Sequence, residues 1–514
     1  LECDAVLEQE LKFFVPESAR PGLLAAFDAV RTGSITLNAI YFDTPERELA
    51  LSGIALRLRK EGEQWVQTVK LPGPDTLSRI EINHPRPGPE LDLSLYQNTP
   101  AQAALARHSG QIQARYQTRI QRELARIRQG QSELELAYDV GHIESQGLKL
   151  LVNELEIELI SGESLAMFEL GQRWLYKHGL ILEMRSKSER GDALASLVDR
   201  RRAKSESLDL SPSQVAAALT RKAYDLPKPH VVDAKDLEQF YCLSATMSLE
   251  QVIRNAALLA GVDGIRPDVA RQADYLALMR VGLRRLRSCR KLFKMWLSAS
   301  EGYANTRLTH YFGLFGKARD HDLVHLEITP LLLKAGMPGP APQPQPAHLE
   351  HDPVQLASAA EFQSLLLSNL QSLICGPTLE LNGVPEPQNL IEARISRWFQ
   401  TIQLRSQRFA QISQDKQHRL RNRIKSLRYC LEFLPSAADK QGLHKVLREC
   451  QALIGAVTDV DVALDWYAQH AANPEQAQFA RQWLTHARQG RAAHAQHALN
   501  ALDQHQPHTE LLRR

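Results

Sequence analysis

The spacing of apolar residues changes once along this 514-residue chain, near residue 205. In the first 200 residues, apolar and polar side chains alternate over eight short stretches, a pattern typical of half-buried β-strands. Beyond residue 205, long amphipathic segments with helical spacing replace this alternation. The change predicts a multidomain α+β protein: an N-terminal eight-stranded antiparallel β-barrel with covering helices, followed by an all-α part.

The helical part contains an internal repeat. The segment 280–289 aligns with 421–430 at an offset of 141 residues, and 316–322 aligns with 455–461 at an offset of 139. Two blocks in the same order at nearly one offset predict two related helical bundles. The expected organisation is a barrel domain at 1–203, a linker at 204–238, a first bundle at 239–336, a Pro-rich loop at 337–352 and a second bundle at 353–505.

The net charge of +3 is the sum of two unlike parts. Residues 1–200 carry 23 basic and 29 acidic side chains, whereas residues 201–514 carry 39 basic and 30 acidic ones. The basic excess indicates an anionic partner for the second part.

The cysteines and the hydropathy indicate the compartment. Six scattered cysteines without a C-x-x-C pattern indicate neither a disulfide framework nor a zinc site. No apolar run approaches the roughly 18 residues that a transmembrane helix needs. We therefore expect a cytoplasmic protein without a membrane partner.

Charged residues alternate along four of the predicted strands, which places them on one face of each strand. These residues are Glu8, Glu10 and Lys12; Arg57 and Arg59; Arg79 and Glu81; and Glu154, Glu156 and Glu158. An ordinary sheet with its polar face in water would explain any one strand. A barrel closed with the charges inward would instead enclose carboxylates for divalent cations beside basic groups for phosphate oxygens. Such a tunnel would suit a short, highly charged phosphate chain.

Seven motifs follow one another over this region: EQELKF at 8–13, YFDTP at 41–45, ALRLR at 55–59, WVQTVK at 65–70, SRIEIN at 78–83, ELEIELISG at 154–162 and SKSERG at 186–191. Together they resemble the CYTH family of triphosphate tunnel metalloenzymes. The resemblance implies hydrolysis of inorganic triphosphate with Mg²⁺ or Mn²⁺, in which a metal-activated water attacks a terminal phosphorus.

The same resemblance implies roles for individual residues. Metal would be held by Glu8, Glu10, Glu154, Glu156 and Glu158. Phosphates would be bound by Arg57, Arg59, Arg79, Arg122, Lys187 and Arg190. The catalytic set would be Glu8, Glu10, Lys12 and Lys70, and further acidic positions would be Glu81, Glu135 and Asp139. The family usually has Trp three residues after the position of Arg122, where this chain has Ala125, so Arg119 or Arg126 could take that role.

Basic residues recur at helical spacing in both repeats. One helix face is shared by Arg280, Arg284, Arg287 and Lys291, and another by His418, Arg421, Lys425 and Arg428. A solvated face with acidic partners on a neighbouring helix would explain one such run. Few acidic residues lie nearby and the run occurs twice, so we favour an anion-binding surface.

The sequences RVGLRRLR at 280–287 and HRLRNRIKSLR at 418–428 resemble the CHAD family over roughly residues 240–500. The resemblance implies two helical bundles that bind inorganic polyphosphate across a basic groove. The histidine expected before the first run is replaced by Ala277.

The main functional hypothesis is therefore a triphosphatase barrel joined to a polyphosphate-binding domain, which could bring the protein to polyphosphate granules. One alternative is a non-catalytic polyphosphate-binding scaffold that targets granules. Another is a triphosphatase acting on a nucleotide or on thiamine triphosphate. Nucleic acid is disfavoured as a partner, because Trp296, Trp398 and Tyr429 are too sparse to form a stacking platform.

Overall fold

The computed structural model describes residues 5–226, 236–342, 352–376, 378–380, 387–433 and 438–505. By their contacts the residues divide into two compact units. The tunnel unit comprises Leu1–Tyr224, Ile253–Tyr275 and Val354–Cys375, and the helical unit comprises Asp225–Val252, Leu276–Pro353 and Gly376–Arg514. The linker predicted at 204–238 and the Pro-rich loop predicted at 337–352 lie partly outside the described residues. The domain boundaries stay a prediction.

The strands of the tunnel unit form one antiparallel sheet that closes on itself. They are β1 (Ala5–Phe14), β2 (Arg31–Asp43), β3 (Ala55–Glu61), β4 (Gln64–Pro72), β5 (Ser78–Arg86), β6 (Gln113–Gln129), β7 (Ser132–Ser145), β8 (Leu148–Ser161) and β9 (Ile181–Leu182). Their order is β5-β4-β3-β2-β6-β7-β8-β1-β9, and pairing of β1 with β5 closes the first eight strands into a barrel. The predicted eight-stranded barrel is confirmed.

Within residues 5–226, six α-helices accompany the strands: α1 (Arg20–Asp28), α2 (Glu48–Leu51), α3 (Gln102–His108), α4 (Ser164–His178), α5 (Lys187–Ala203) and α6 (Pro212–Leu219). Those after residue 236, within the described ranges, are α7 (Leu237–Ala260), α8 (Val269–Phe293), α9 (Ala299–Asp322), α10 (Thr329–Lys334), α11 (Pro353–Ser358), α12 (Ala360–Cys375), α13 (Pro387–Ser406), α14 (Gln414–Phe433), α15 (Ala438–His470) and α16 (Pro474–Asn500). The predicted helical C-terminal region is confirmed. No described helix combines the length and the hydropathy needed to cross a lipid bilayer.

The inward face of the barrel changes from apolar to charged along the strands. On β8 the alternate residues Leu150 and Val152 belong to an apolar core, whereas the next ones, Glu154 and Glu156, are acidic. The apolar core includes Leu194 of α5 together with buried residues of α6. These two helices therefore close one end of the barrel, and the charged interior lies beyond them.

Helices of the two repeats share a core in the helical unit. Buried residues at 323–337 pack with Val460 and Tyr467 of α15 and with Leu484 of α16. The Thr329 and Tyr467 hydroxyl groups lie 2.8 Å apart in this core. This packing joins the end of the first repeat to the second.

Candidate functional site

A polar cavity of about 210 Å³ lies inside the barrel. Ten of the residues predicted to bind metal or phosphate, or to act in catalysis, line it: Glu8, Glu10, Lys12, Arg57, Arg59, Lys70, Arg122, Glu156, Glu158 and Lys187. Glu135 and Asp139 also lie in the wall. Residues that are up to 179 positions apart in sequence, from Glu8 to Lys187, are therefore brought together by closure of the barrel.

The register of β1 sets the arrangement of the acidic groups. Its first half pairs with β5 and its second half with β8, so that Glu10 lies opposite Glu158 and Lys12 opposite Glu156. The Lys12 Nζ atom donates to Glu10 Oε1 at 2.6 Å. Burial works to raise the pKa of Glu10, but the positive charges of Lys12 and Lys70 outweigh it and lower the pKa.

Two other carboxyl groups in the wall are not fully neutralised. Burial and a hydrogen bond with Glu81 raise the pKa of Glu8 to about 8, although Lys70 Nζ lies 2.5 Å from its Oε2. Burial and the negative charge of Glu10 raise the pKa of Glu158 to about 7. Buried carboxyl groups with raised pKa values need additional positive charge to ionise. Glu8, Glu10 and Glu158 offer carboxylate oxygens, the ligand type that a hard divalent cation prefers.

The basic groups of the cavity are held by buried acids. Burial opposes the charge of Lys70, but Glu81, 2.7 Å away, outweighs burial and raises the pKa of Lys70. The Arg122 guanidinium donates to both carboxylate oxygens of Asp139 at 2.7 Å and to Glu156 at 2.5 Å. These partners keep the cations charged inside the barrel.

A group of three carboxylates in the described residues, those of Asp139, Glu154 and Glu156, has oxygen atoms within 4.8 Å of one another. Lys187 neutralises this group: its Nζ lies 2.6 Å from Asp139 and 2.9 Å from Glu156, and it also contacts Glu154. The group could bind a cation, but an ammonium already lies among its oxygens. Glu8, Glu10 and Glu158 are not part of this group of described residues, and their role as metal ligands stays a prediction.

Three predicted site residues lie outside the wall of this cavity. Glu154 is 1% exposed and pairs with Arg190, which is 3% exposed. Arg79 lies at the edge of an adjoining cavity of about 260 Å³, where its Nη1 donates to the Ser78 carbonyl at 2.8 Å. Of the two proposed substitutes for Arg122, Arg126 is half exposed and pairs with Glu133 at 3.1 Å and with Glu135 of the cavity wall at 3.3 Å, and Arg119 is exposed.

The residues of the SKSERG motif form the start of α5, and several of them have identifiable structural roles there. Ser186 caps the helix by accepting a hydrogen bond from the Glu189 backbone at 3.0 Å, which places Lys187 at the first helical position. A Cβ at Gly191 would lie 2.1 Å from the ring of Tyr116, so only glycine allows this approach. Tyr116 in turn stacks on Tyr41, with ring centroids 4.8 Å apart.

Sequence reasoning did not identify Tyr41 as a site residue. The ring of Tyr41 lines the cavity. Burial works to raise the pKa of the Tyr41 hydroxyl, but the nearby positive charge of Arg57 and its hydrogen bond help to lower it overall. The YFDTP motif contained the signal, because a tyrosine hydroxyl at an inward-facing strand position can donate a hydrogen bond to a phosphate oxygen.

A second, larger cavity of about 1300 Å³ lies in the helical unit. Seven of the eight residues predicted to bind polyphosphate line it: Arg280, Arg284, Arg287 and Lys291 of α8, and His418, Arg421 and Lys425 of α14. Arg290 and Lys294 add further positive charge. Burial, followed by the charges of Arg421 and Arg284, lowers the pKa of Lys425 to about 6.

The eighth residue, Arg428, has a different environment. Its guanidinium pairs with Glu432, donates to Gln451 at 2.8 Å and lies 4.1 Å from the centre of the Tyr429 ring. Arg285 donates to the same Glu432 at 2.8 Å. Arg428 is therefore part of a buried ion-pair group, and it does not line the cavity.

Two glycines of the aligned repeat blocks make room for arginines. A Cβ at Gly316 would lie 3.3 Å from Arg280 Nη1, and a Cβ at Gly455 would lie 3.0 Å from Arg421 Nη2. Arg280 Nη1 also donates to the Phe315 carbonyl at 2.8 Å. The repeated glycine therefore serves the same purpose in both repeats.

Phe312 was not identified from the sequence. Its ring lines the cavity, with the guanidinium carbons of Arg280, Arg287 and Arg284 at 4.9, 4.8 and 5.9 Å from its centre. One aromatic face thus orders three like charges. A single phenylalanine on another helix gives no sequence signal for this contact.

Comparison with known proteins identifies two families in the chain. The model of the CYTH domain matches residues 7–191, and that of the CHAD domain matches residues 255–468. The first match covers the barrel with the start of α5, and the second covers both basic runs.

Three individual relatives share between 21% and 28% of their aligned residues with this chain. An inorganic triphosphatase from Haemophilus influenzae is 28% identical over 183 residues, which cover 34% of this chain and 51% of that protein. The match thus spans about half the length of the curated relative. The PH1819 protein of Pyrococcus horikoshii is 21% identical to this chain. The alignment covers 38% of this chain and 99% of that protein, with a TM-score of 0.27. The CHAD domain of Ricinus communis is 22% identical to this chain. The alignment covers 54% of this chain and 96% of that domain, with a TM-score of 0.39.

Proposed function

Because this chain joins a CYTH domain to a CHAD domain, we propose that its tunnel hydrolyses inorganic triphosphate and that its helical cavity binds long-chain polyphosphate. The observation that carries the first part is the wall of the tunnel cavity, in which six Lys and Arg side chains lie among the carboxyl groups of Glu8, Glu10 and Glu158. The similarity to an inorganic triphosphatase supports the same reaction class.

The size of the cavity favours an inorganic substrate. Pockets for drug-sized organic molecules usually measure about 300 to 1000 Å³. The tunnel cavity, at about 210 Å³, is smaller. A nucleotide or thiamine triphosphate would need the adjoining cavity for its organic group, whereas tripolyphosphate would not.

The basic residues of the tunnel would have two different roles in the proposed reaction. Arg57, Arg59 and Arg122 would bind phosphate oxygens and orient the chain, since a guanidinium offers paired donors to phosphate. Lys70 and Lys187 would neutralise charge that develops as the phosphoanhydride bond breaks. The apolar end of the barrel would limit access of bulk water.

The metal site in this proposal consists of Glu8, Glu10 and Glu158, with Glu156 as a neighbour on the same strand face. A bound divalent cation would supply charge neutralisation and an activated water. Lys12, which donates to Glu10, would orient that carboxylate.

Phosphate release from tripolyphosphate with Mg²⁺ or Mn²⁺ tests the enzymatic part. Long polyphosphate, ATP and thiamine triphosphate should be poorer substrates. We expect the double variant Glu8→Gln/Glu10→Gln to lose activity, and Glu63→Gln, whose side chain is 96% exposed, to retain it. Equal activity in the double variant and the wild type would contradict the proposal.

Binding of long-chain polyphosphate tests the second part. The cavity concentrates basic groups from two helices along one surface, which suits a flexible polyanion. Such binding would bring the enzyme to places where polyphosphate accumulates. Competition with DNA measures the selectivity, and tighter binding of DNA would contradict this assignment. Binding without turnover would instead favour a scaffold.

A further inference from the structure

A buried aspartate from the CHAD-matched sequence lies beside the first turn of α5. Asp263 belongs to the turn Val262–Gly264 between α7 and α8, and its side chain is 2% exposed. Its carboxylate accepts a hydrogen bond from Arg185 Nη1 at 3.0 Å and lies 3.6 Å from Arg190 Nη1. Asp263 and both arginines belong to the tunnel unit. Arg185 and Arg190 flank Lys187, which lines the tunnel cavity.

A continuous series of ion pairs leads from Asp263 to the cavity. The Arg190 guanidinium contacts Asp263 through Nη1 and donates to Glu154 through Nη2. Glu154 also contacts Lys187, whose amine reaches Asp139 at 2.6 Å and Glu156 at 2.9 Å. The side chains that form these ion pairs are all largely buried, so the position of each charged group depends on the groups beside it.

The backbone of the turn is held in an unusual conformation. The φ angle of Asp263 is +59°, between two glycines that also have positive φ, Gly261 at +88° and Gly264 at +73°. A residue other than glycine in this region costs roughly 1 kcal/mol and persists where its surroundings determine it. The aspartate is thus placed here by tertiary contacts.

Independent contacts anchor the same segment to the tunnel unit. Arg254 Nη2 donates to Glu189 of α5 at 3.0 Å. Asn255 exchanges two hydrogen bonds with the backbone of Tyr224, at 2.8 and 3.0 Å. Ile265 packs against the apolar core that closes the end of the barrel. These contacts fix the segment on both sides of Asp263.

We propose that Asp263 is a positioning residue for Lys187. Asp263 fixes Arg190, Arg190 fixes Glu154, and Glu154 directs the Lys187 amine to the cavity. The inference rests on the proposed triphosphate site, and it makes part of the CHAD-matched sequence a component of the tunnel. The other interpretation is that Asp263 only neutralises buried arginines, since buried ion pairs by themselves are weak evidence of a specific role.

A double-mutant cycle in the full-length protein separates these interpretations. The variants are Asp263→Asn, Lys187→Gln and the pair, with Asp268→Asn as the matched control, because Asp268 is 63% exposed on the same segment. Asparagine keeps the shape of aspartate and tolerates positive φ. The assay measures kcat and KM for tripolyphosphate with Mg²⁺, together with the melting temperature of each variant.

We expect Asp263→Asn to raise KM about tenfold in the wild type, the size of a charged hydrogen bond that is lost. In the Lys187→Gln background the same change should alter KM less than about twofold, because its effect passes through Lys187. Asp268→Asn should resemble the wild type. An equal change in both backgrounds, or an unchanged KM in Asp263→Asn, would overturn the proposal.

Two further measurements keep the test decisive. If Asp263→Asn is unfolded at the assay temperature, Asp263→Glu replaces it in the cycle, since it retains the charge but shifts it by one methylene. If the wild type shows no turnover, the proposed function is wrong. The same four proteins are then compared by their Kd for tripolyphosphate, measured by calorimetry. A coupled loss of affinity then supports the role of Asp263, and an additive loss refutes it.

Discussion

Polyphosphate binding to the helical cavity should weaken as the pH rises, because Lys425 must take up a proton when the anion binds. Burial, and then the positive charges of Arg421, Arg284 and Arg280, lower the pKa of Lys425 to about 6, and Asp459 offsets them only in part. Bound phosphates would supply the opposite charge and return the pKa toward its ordinary value of 10.5. We therefore expect Lys425 to be neutral in the free protein at pH 7.5 and charged in the complex.

The size of the effect follows from these two values. At pH 7.5 a lysine with a pKa of about 6 is neutral in about 30 molecules for each one that is charged. Between about pH 6 and pH 10, binding takes up one proton at this site, so the affinity falls about tenfold per pH unit. Stability changes in the opposite direction: the unfolded chain binds this proton more tightly, so the contribution of Lys425 makes the folded state more stable as the pH rises through the same range.

Calorimetric titration with long-chain polyphosphate at pH 7.5, 8.5 and 9.5 and constant ionic strength measures this slope. Two buffers with different ionisation enthalpies count the protons taken up. Lys425→Met should reduce the slope by about one proton, whereas Lys445→Met, which changes an exposed lysine of α15, should keep it. An affinity that does not change between pH 7.5 and 9.5, or the full slope in Lys425→Met, would refute the reasoning.

Three further predictions concern single features of the two cavities. Gly455→Ala should displace Arg421 and weaken polyphosphate binding by about tenfold, whereas Gly490→Ala, which meets no atom within 4 Å, should leave the Kd unchanged. Phe312→Ala should weaken binding about fivefold through loss of cation–π contacts but leave the salt dependence of the Kd unchanged, because no charge is removed; a smaller salt slope would contradict this. Chelation of divalent metal should abolish release of phosphate from tripolyphosphate while polyphosphate binding persists, and loss of both in a titration with EDTA would show that one site serves both activities.

Alternation along the strands was enough to predict the barrel and most of the charged residues in its wall. A period of two decides which face a residue occupies, so Glu8, Glu10 and Lys12 were assigned correctly to one face. The same rule could not separate Glu154 from Glu156, which share a face of β8. Their different environments depend on position along the barrel, where α5 places Arg190 against Glu154 but leaves Glu156 at the cavity.

The helical unit shows the same limit. Helical spacing grouped Arg421, Lys425 and Arg428 on one face, and two of them line the cavity. Arg428 lies one turn farther along, where Glu432 is close enough to pair with it. The partner of a basic residue depends on how side chains and helices approach one another, which the spacing within one helix does not specify.

Local periodicity and short motifs were enough to predict the fold class, the resemblance to two families and the strand and helix faces that carry charge. Which charged groups contact one another depends on the packing of strands and helices. Closure of the barrel placed Glu10 opposite Glu158, and a turn 60 residues beyond the end of α5 brought Asp263 to Arg185 and Arg190. Electrostatic interaction depends on distance and burial in space, and neither quantity is encoded in the separation of residues along the chain.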